Sequence, residues 1–314
     1  MLIDNRYAAG GEYRLTEEKM GRGWLVQRAY DQTLRRDVVL KSVPERDPRE
    51  VWELTQEEDL LRRTRSEYIV SSFGLLTAPN PAAATRLRTH LVVELFSEDT
   101  VQNLLERHGG RLDEDRSLRI TIHLLDAFEA LNRAGIIHRD LHPKHLSYRD
   151  RDHLKLFDLG SSLSLGPMPN APLGSGLFSR LLAQPAGTAA SAPAIRNPHP
   201  VGTWETMAPE EFTAGARITP AANVYSAGIF LYRLLIGGYP LAYGNFDWGG
   251  RHRTLDDMRE AQRDLHLHEP VEYPRWLRLR IKTCLQRALE KKPRDRYPSP
   301  WEFREALEKV LHDL

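Results

Sequence analysis

The chain has 314 residues, 41% of them hydrophobic, with 44 basic and 43 acidic side chains and a formal net charge of +1. That balance gives no electrostatic attraction to nucleic acid or an anionic membrane, and the apolar content argues against a disordered chain. The one cysteine, Cys284, excludes an intrachain disulfide, and no apolar run reaches the roughly 18–20 residues that span a bilayer.

The expectation is therefore a soluble protein of a reducing, cytoplasmic compartment, and the opening "MLIDNRYAAGGEYRL" has no secretory apolar segment. Twelve histidines are present, but no CxxC or HExxH pairing organises them into a metal-ligand set. The length suits roughly two domains of about 150 residues or one two-lobed unit.

In chain order, Arg36–Val43 ("RDVVLKSV") has the β-branched run of a strand and stops at Pro44. Residues 49–66 follow with Val51, Leu54, Leu60 and Leu61 at helical spacing on a charged background. "YIVSSFGLL" and "THLVVELF" read as strands, separated by a Pro/Ala loop, "TAPNPAAATRLR". The pattern then changes. "DTVQNLLERHG" and "SLRITIHLLDAFEALNRAG" have helix-starting and helix-ending signals, and three further helices are expected in "NVYSAGIFLYRLLIGG", "WLRLRIKTCLQRALEK" and "WEFREALEKVLHDL". Cys284 sits in the second of these three and reads as helix core.

The stretch Gly166–Pro200 is rich in Pro, Ala, Gly and Ser without periodicity, and most of it is expected to be a flexible loop, with a short ordered piece at "GLFSRLL". The resulting architecture is α+β: a small antiparallel β lobe with one helix over residues 1–95, and a larger helical lobe over 96–314, joined near Glu94–Asp99.

Several short motifs occur in a fixed order: "MGRG", "VVLK", an acidic helix, "HRDLHPKHL", "DLG" and "GTWETMAPE". "NVYSAGIFLYRLLIGGYP" and "ALEKKPRDRYPS" close the series. Each is weak alone; the order and spacing are specific. Together they resemble the signature set of the protein kinases over about Tyr13–Leu311, most closely bacterial Ser/Thr protein kinases. The resemblance implies a bilobal kinase fold, ATP with Mg²⁺ or Mn²⁺, and a protein substrate or regulatory protein partner.

Phosphoryl transfer asks a protein mainly for positioning and charge compensation. On the family pattern, Lys41 reaches the α/β-phosphates and Glu57 is its anionic partner, with Glu58 and Asp59 as neighbouring alternatives. Asp140 is the general base and Asp158 a metal ligand. Gly21, Gly23 and Val26 belong to the glycine-rich loop, and Glu94 and Phe96 to the nucleotide-binding link. The resemblance implies that Arg139 can grip a phosphate on the activation segment, for which Ser175, Ser179, Thr188 and Ser191 are candidates; the equal alternative is a segment that stays an unmodified tether. Thr203 is expected on the catalytic loop, and Glu210 is expected to pair with Arg296.

Three departures qualify the resemblance. "GRGWLV" is two residues shorter than the family loop and lacks its third Gly. His142 replaces a Lys, for which Lys144 can substitute as the cation on the γ-phosphate, and His145 replaces the Asn that ligates a second metal. Asn223 stands where the family has an Asp. A slow or specialised Ser/Thr protein kinase is the reading that follows; the alternative is a pseudokinase, a binding or scaffold module. A small-molecule phosphotransferase is disfavoured by the "MAPE" segment.

Overall fold

The computed structural model describes residues 7–12, 25–44, 48–80, 83–149, 153–164, 194–198, 200–241 and 255–313. The first half is one antiparallel sheet built from β1 (Tyr7–Glu12), β2 (Leu25–Asp31), β3 (Arg36–Pro44), β4 (Ser72–Asn80) and β5 (Ala83–Glu94), in the order β1-β2-β3-β5-β4. Between β2 and β3 the chain turns on Asp31, whose Oδ1 accepts from the N–H groups of Thr33 and Leu34 at 3.0 Å each.

Alternation along β3 decides the core on both faces of the sheet. Val39 and Val43 pack with Leu91 and Val93 against Leu54, Leu60 and Leu61 of helix α1 (Pro48–Arg63), while Val38 and Leu40 pack on the other face with Ala29, Ala78 and Val92. Lys41 lies on the α1 face, between Val39 and Val43 in the alternation.

The expected Pro/Ala loop is a correction. β4 and β5 continue through it, paired as far as Asn80 and Ala83. β4 is the sheet edge, where a proline's missing N–H costs no ladder bond, so Pro79 stays in register opposite Leu87. β1, with the composition Ala-Ala-Gly-Gly, carries no strand signal and is an addition from pairing with β2.

After Glu94 the chain leaves the sheet and enters α2 (Val101–Arg107), whose Thr100 and Asn103 form a capping box, and then α3 (Glu114–Arg133), capped by Asp113 on the Arg116 N–H at 2.9 Å. Short strands follow: β6 (Ile136–Ile137) pairs with β9 (Leu163–Ser164), and β7 (Leu146–Arg149) with β8 (His153–Leu156). β10 (Ile195–Arg196) pairs with β11 (Arg217–Ile218), so the end of the Pro/Ala/Gly/Ser stretch is ordered by that partner. "GLFSRLL" lies outside the described residues.

Helices α4 (Ala221–Ile236), α5 (Leu255–His268), α6 (Leu279–Ala288) and α7 (Pro300–His312) complete the helical half. α4 is buried along most of its length and packs on α3, and α3 packs on α7. α5, with few apolar residues, was not expected. It buries His266 and Gln262. Cys284 is buried in α6. One apolar cluster runs from Val39 and Leu61 to Phe303 and Val310, joining sheet and helices. Among the described residues no helix is long and apolar enough to cross a membrane.

Candidate active site

The site forms where β3, α1 and the β6–β9 segments meet. Glu57 lies three residues after Leu54 and four before Leu61, so helical spacing turns it to the buried side of α1. There Lys41 Nζ donates to Glu57 Oε2 at 2.5 Å and to Asp158 Oδ1 at 3.1 Å, with all three side chains mostly sealed from solvent. The neighbouring carboxylates go elsewhere: Glu58 accepts from Ser72 Oγ, and Asp59 pairs with Arg62. Val26 is half-buried and lies opposite Lys41 in the β2–β3 register.

The loop between β6 and β7 and the segment after β8 each contain one residue with left-handed backbone. Arg139 has φ 71° and Asp158 φ 68°, values that L side chains adopt only where the surroundings enforce them. Asn223 Oδ1 accepts from the His138 N–H at 3.1 Å, the contact expected of the family's Asp at that position. His138 is buried, and burial holds its pKa down to about 4, so the ring is neutral and its Nδ1 accepts from the Asp140 N–H at 3.3 Å.

Asp140 is engaged at both oxygens. Oδ1 accepts from Thr203 Oγ1 at 2.7 Å, and Oδ2 from Ser161 Oγ at 3.3 Å. Thr206 Oγ1 donates to the Leu141 carbonyl at 2.7 Å, so two hydroxyls of "GTWET" fasten that segment to the loop. Gly202 makes the approach feasible: at φ +121° an added Cβ would stand 2.0 Å from the Arg139 carbonyl oxygen. Arg296 reaches Glu210 through two bonds of 2.8 Å, the expected pairing.

His145 ends the 3-10 turn Pro143–His145. Its Nδ1 lies 3.1 Å from the Asp140 carbonyl oxygen and its Nε2 lies 3.9 Å from Asp158 Oδ2. Lys144 is partly buried, and its Nζ has no hydrogen bond or ion pair among the described residues. Gly21 and Gly23 lie outside the described residues.

A family model described as a protein kinase domain matches residues 15–310. The chain belongs to the protein kinase family. It is 27% identical to a probable serine/threonine-protein kinase of Streptomyces coelicolor over 96% of this chain and 40% of that one. It is 25% identical to a second serine/threonine-protein kinase of the same organism, over 97% of this chain and 50% of the relative. A serine/threonine-protein kinase of Corynebacterium efficiens is 25% identical over 78% of this chain and 39% of its own length. The chain thus spans about two fifths to half the length of these curated relatives.

The side chains of the link between sheet and helices are engaged within the protein. Glu94 Oε1 accepts from Lys155 Nζ at 2.6 Å and from the Ser71 N–H at 2.9 Å, and Phe96 stacks on Phe157 with ring centres 4.7 Å apart.

Arg139 does not offer an open phosphate seat. Its side chain is 1% exposed; Nη2 donates to Asn197 Oδ1 at 3.0 Å and Nε lies 3.8 Å from Glu211 Oε1. Asn197 Nδ2 in turn donates to the carbonyls of Glu211 and Thr213 at 2.6 and 3.1 Å. Burial pushes the Glu211 carboxyl up to about 7, because the cation is distant and one N–H, from Ala208, is its hydrogen-bond donor. The candidate phosphosites Ser175, Ser179, Thr188 and Ser191 lie outside the described residues.

The donor set fits a divalent ion in part. Asp158 Oδ2 and His145 Nε2 face each other across the cleft, while no group of three or more His, Cys, Asp or Glu among the described residues could hold a metal alone. An ion there would need further oxygens, such as those of a nucleotide phosphate. Ser161, Asn197 and Glu211 were not singled out from sequence. Ser161 directly follows "DLG" and Glu211 directly follows Glu210, so position relative to a motif was the available signal for those two; Asn197 had none.

Proposed function

We propose that this kinase transfers the γ-phosphoryl group of ATP to Ser or Thr hydroxyls of a protein substrate, at a slow or specialised rate. The observation that carries this is Lys41 bonded at once to Glu57 and Asp158 at 2.5 and 3.1 Å. That three-residue contact holds α1 and the "DLG" segment in one arrangement, with a cation directed at the cleft. Lys41 then positions the α/β-phosphates, and Lys144, unpaired among the described residues, is the cation for the γ-phosphate.

Asp140 takes the proton of the substrate hydroxyl as the hydroxyl oxygen bonds the γ-phosphorus, and the bond from that phosphorus to the β–γ bridging oxygen breaks, the oxygen leaving with the nucleoside diphosphate. Thr203 orients the carboxylate from its far oxygen, and Ser161 occupies the oxygen that a substrate hydroxyl would take. Asp158 and His145 would hold a divalent ion, which when bound offsets phosphate charge. Gly21, Gly23 and Val26 are proposed to cover the nucleotide, and Glu94 and Phe96 to meet its base through the backbone. The boundary between the two lobes is proposed at residues 95 and 96.

The second reading, a pseudokinase that binds a partner without turnover, is favoured by Asp140, both of whose oxygens are already occupied internally. Phosphate incorporation into the protein or a generic substrate, with Asp140→Asn and Asp158→Asn as controls, separates the two. Metal-dependent incorporation lost in both variants supports the kinase. Nucleotide binding without transfer supports the scaffold.

A further inference from the structure

We propose that Ser161 is itself a phosphoryl acceptor, modified by the active site of its own chain, and that the phosphoserine then closes that site. The inference deepens the phosphoryl-transfer reading and rests on it.

A hydroxyl becomes a nucleophile when a base takes its proton, so an acceptor built into the chain must touch Asp140. Among the described residues two hydroxyls do so: Thr203 Oγ1 on Oδ1 at 2.7 Å and Ser161 Oγ on Oδ2 at 3.3 Å. They differ in what holds them. Thr203 follows Gly202, which packs against the Arg139 carbonyl, and its own carbonyl accepts from Thr206 Oγ1 at 3.1 Å. It is part of a fastening. Ser161 is half-buried, and its hydroxyl makes no other hydrogen bond among the described residues. Its 3.3 Å contact is just longer than the reach of about 2.6–3.2 Å for a working base, and such contacts tighten when substrate binds.

The chain around Ser161 is fixed on both sides. Leu159 to Ser162 form a turn, closed by the Ser162 N–H on the Leu159 carbonyl at 3.0 Å, with Ser161 at its third position. Before it, Asp158 Oδ1 accepts from Lys41 Nζ at 3.1 Å and from the Gly160 N–H at 3.2 Å. After it, Ser162 Oγ donates to the His138 carbonyl at 3.1 Å. Ser161 is therefore held between the base and the carboxylate that binds the phosphate-directed lysine. A nucleophile positioned within the same molecule reacts ahead of one that must diffuse in.

In the step, Asp140 Oδ2 takes the Ser161 proton as Ser161 Oγ bonds the γ-phosphorus of ATP. The bond from that phosphorus to the β–γ bridging oxygen breaks, and the oxygen keeps the electron pair and leaves with ADP. The product carries about −1.5 to −2 charges at pH 7 beside the Asp140 and Asp158 carboxylates. It also fills the oxygen at which an outside hydroxyl would lose its proton. Each chain thus turns over once on itself and is then closed to other acceptors.

The test incubates the full chain with ATP and Mn²⁺ or Mg²⁺, follows its intact mass, and maps the phosphate by peptide fragmentation that separates Ser161 from Ser162. A single phosphate on Ser161 is expected, at a first-order rate that is unchanged over about a tenfold dilution, as an intramolecular step requires. Transfer to a generic protein substrate should fall about tenfold or more as Ser161 fills, and should hold its initial rate in Ser161→Ala. Phosphate on Thr203 or elsewhere in place of Ser161 overturns the assignment. A rate that scales with protein concentration overturns the same-chain step, and substrate transfer undiminished after Ser161 is filled overturns the closure. Phosphorylated substrate with Ser161 unmodified sinks this inference and leaves the phosphoryl-transfer reading standing; no transfer to any hydroxyl with either ion removes both.

Discussion

Lys41 Nζ and Glu57 Oε2 meet at 2.5 Å between a strand and a helix, at side-chain exposures of 14% and 3%. Replacing Glu57 with Gln keeps its size and removes its charge. Lys41 would retain Asp158, so the loss is partial, about 1–3 kcal/mol. The expected outcome is a protein that folds but binds nucleotide about tenfold or more weakly. Calorimetric titration with an ATP analogue measures it, and unchanged affinity would remove the ion pair from the nucleotide site.

The approach of Gly202 to Arg139 gives a sharper structural test. In Gly202→Ala the new carbon would sit 2.0 Å from the Arg139 carbonyl oxygen, a backbone atom already committed by its left-handed φ of 71°. Gly215 provides the comparison, with φ +78° and nothing within 4 Å of an added carbon. Gly215→Ala should cost only backbone strain, about 1–3 kcal/mol, and keep its phosphotransfer. Gly202→Ala should lose both stability and transfer, because Thr203, one residue on, orients Asp140. Equal effects in the two variants would count against the close contact as the cause.

What the sequence made legible depends on how local each signal was. The β-branched run of β3, the apolar spacing of α1 and the motif order single out Lys41, Glu57, Asp140 and Asp158, and the first two meet Asp158 in one contact. β1 was illegible because Ala and Gly carry no strand preference, and its pairing with β2 comes from chain far outside a local window. The Pro/Ala stretch misled because a sheet edge tolerates a residue that the interior would not. Asn197 lies in that same kind of composition, and its contact with Arg139 joins residues 58 apart. No local pattern encodes such a contact.

That contact alters what the activation segment is expected to do. With Arg139 1% exposed and bonded to Asn197, the loop has its anchor without a phosphate. Replacing Ser175, Ser179, Thr188 and Ser191 together by Ala should leave phosphotransfer unchanged in a steady-state assay. Asn197→Ala should reduce it, since the Arg139 guanidinium loses an acceptor and the carbonyls of Glu211 and Thr213 lose a donor. A strong loss in the four-site variant with none in Asn197→Ala would restore the phosphate role to Arg139.

Glu211 gives the segment a pH signature. Its folded-state pKa, raised to about 7 by burial, lies above the ordinary value of 4.5, so the native state holds the proton longer than the unfolded chain does. The group's contribution to stability is therefore complete below about pH 4.5 and is lost as pH rises through about 7, by roughly 3 kcal/mol at most. Glu211→Gln keeps an oxygen for the Ala208 N–H and removes the titration. Denaturant unfolding of both proteins at about pH 5 and pH 8 should show the variant gaining on the wild type at the higher value. A difference that is the same at both would show that Glu211 is ionised throughout, held by Arg139.

Arg296 and Glu210 supply the last prediction, and it concerns geometry more than charge. Arg296 is fully buried, and its guanidinium makes bonds of 2.8 Å to both Glu210 oxygens, with three more to the carbonyls of Ala221, Glu290 and Lys291. All five N–H directions of the fork are used. Lysine carries the same charge on one point and cannot span those acceptors, so Arg296→Lys is not a conservative change here. It should destabilise the helical half by about 3–5 kcal/mol, close to the loss in Arg296→Ala, because either change leaves Glu210 without its bidentate partner. Urea unfolding of the two variants decides it: if Arg296→Lys stays near the wild type, charge alone holds the segment that carries Thr203 against the catalytic loop.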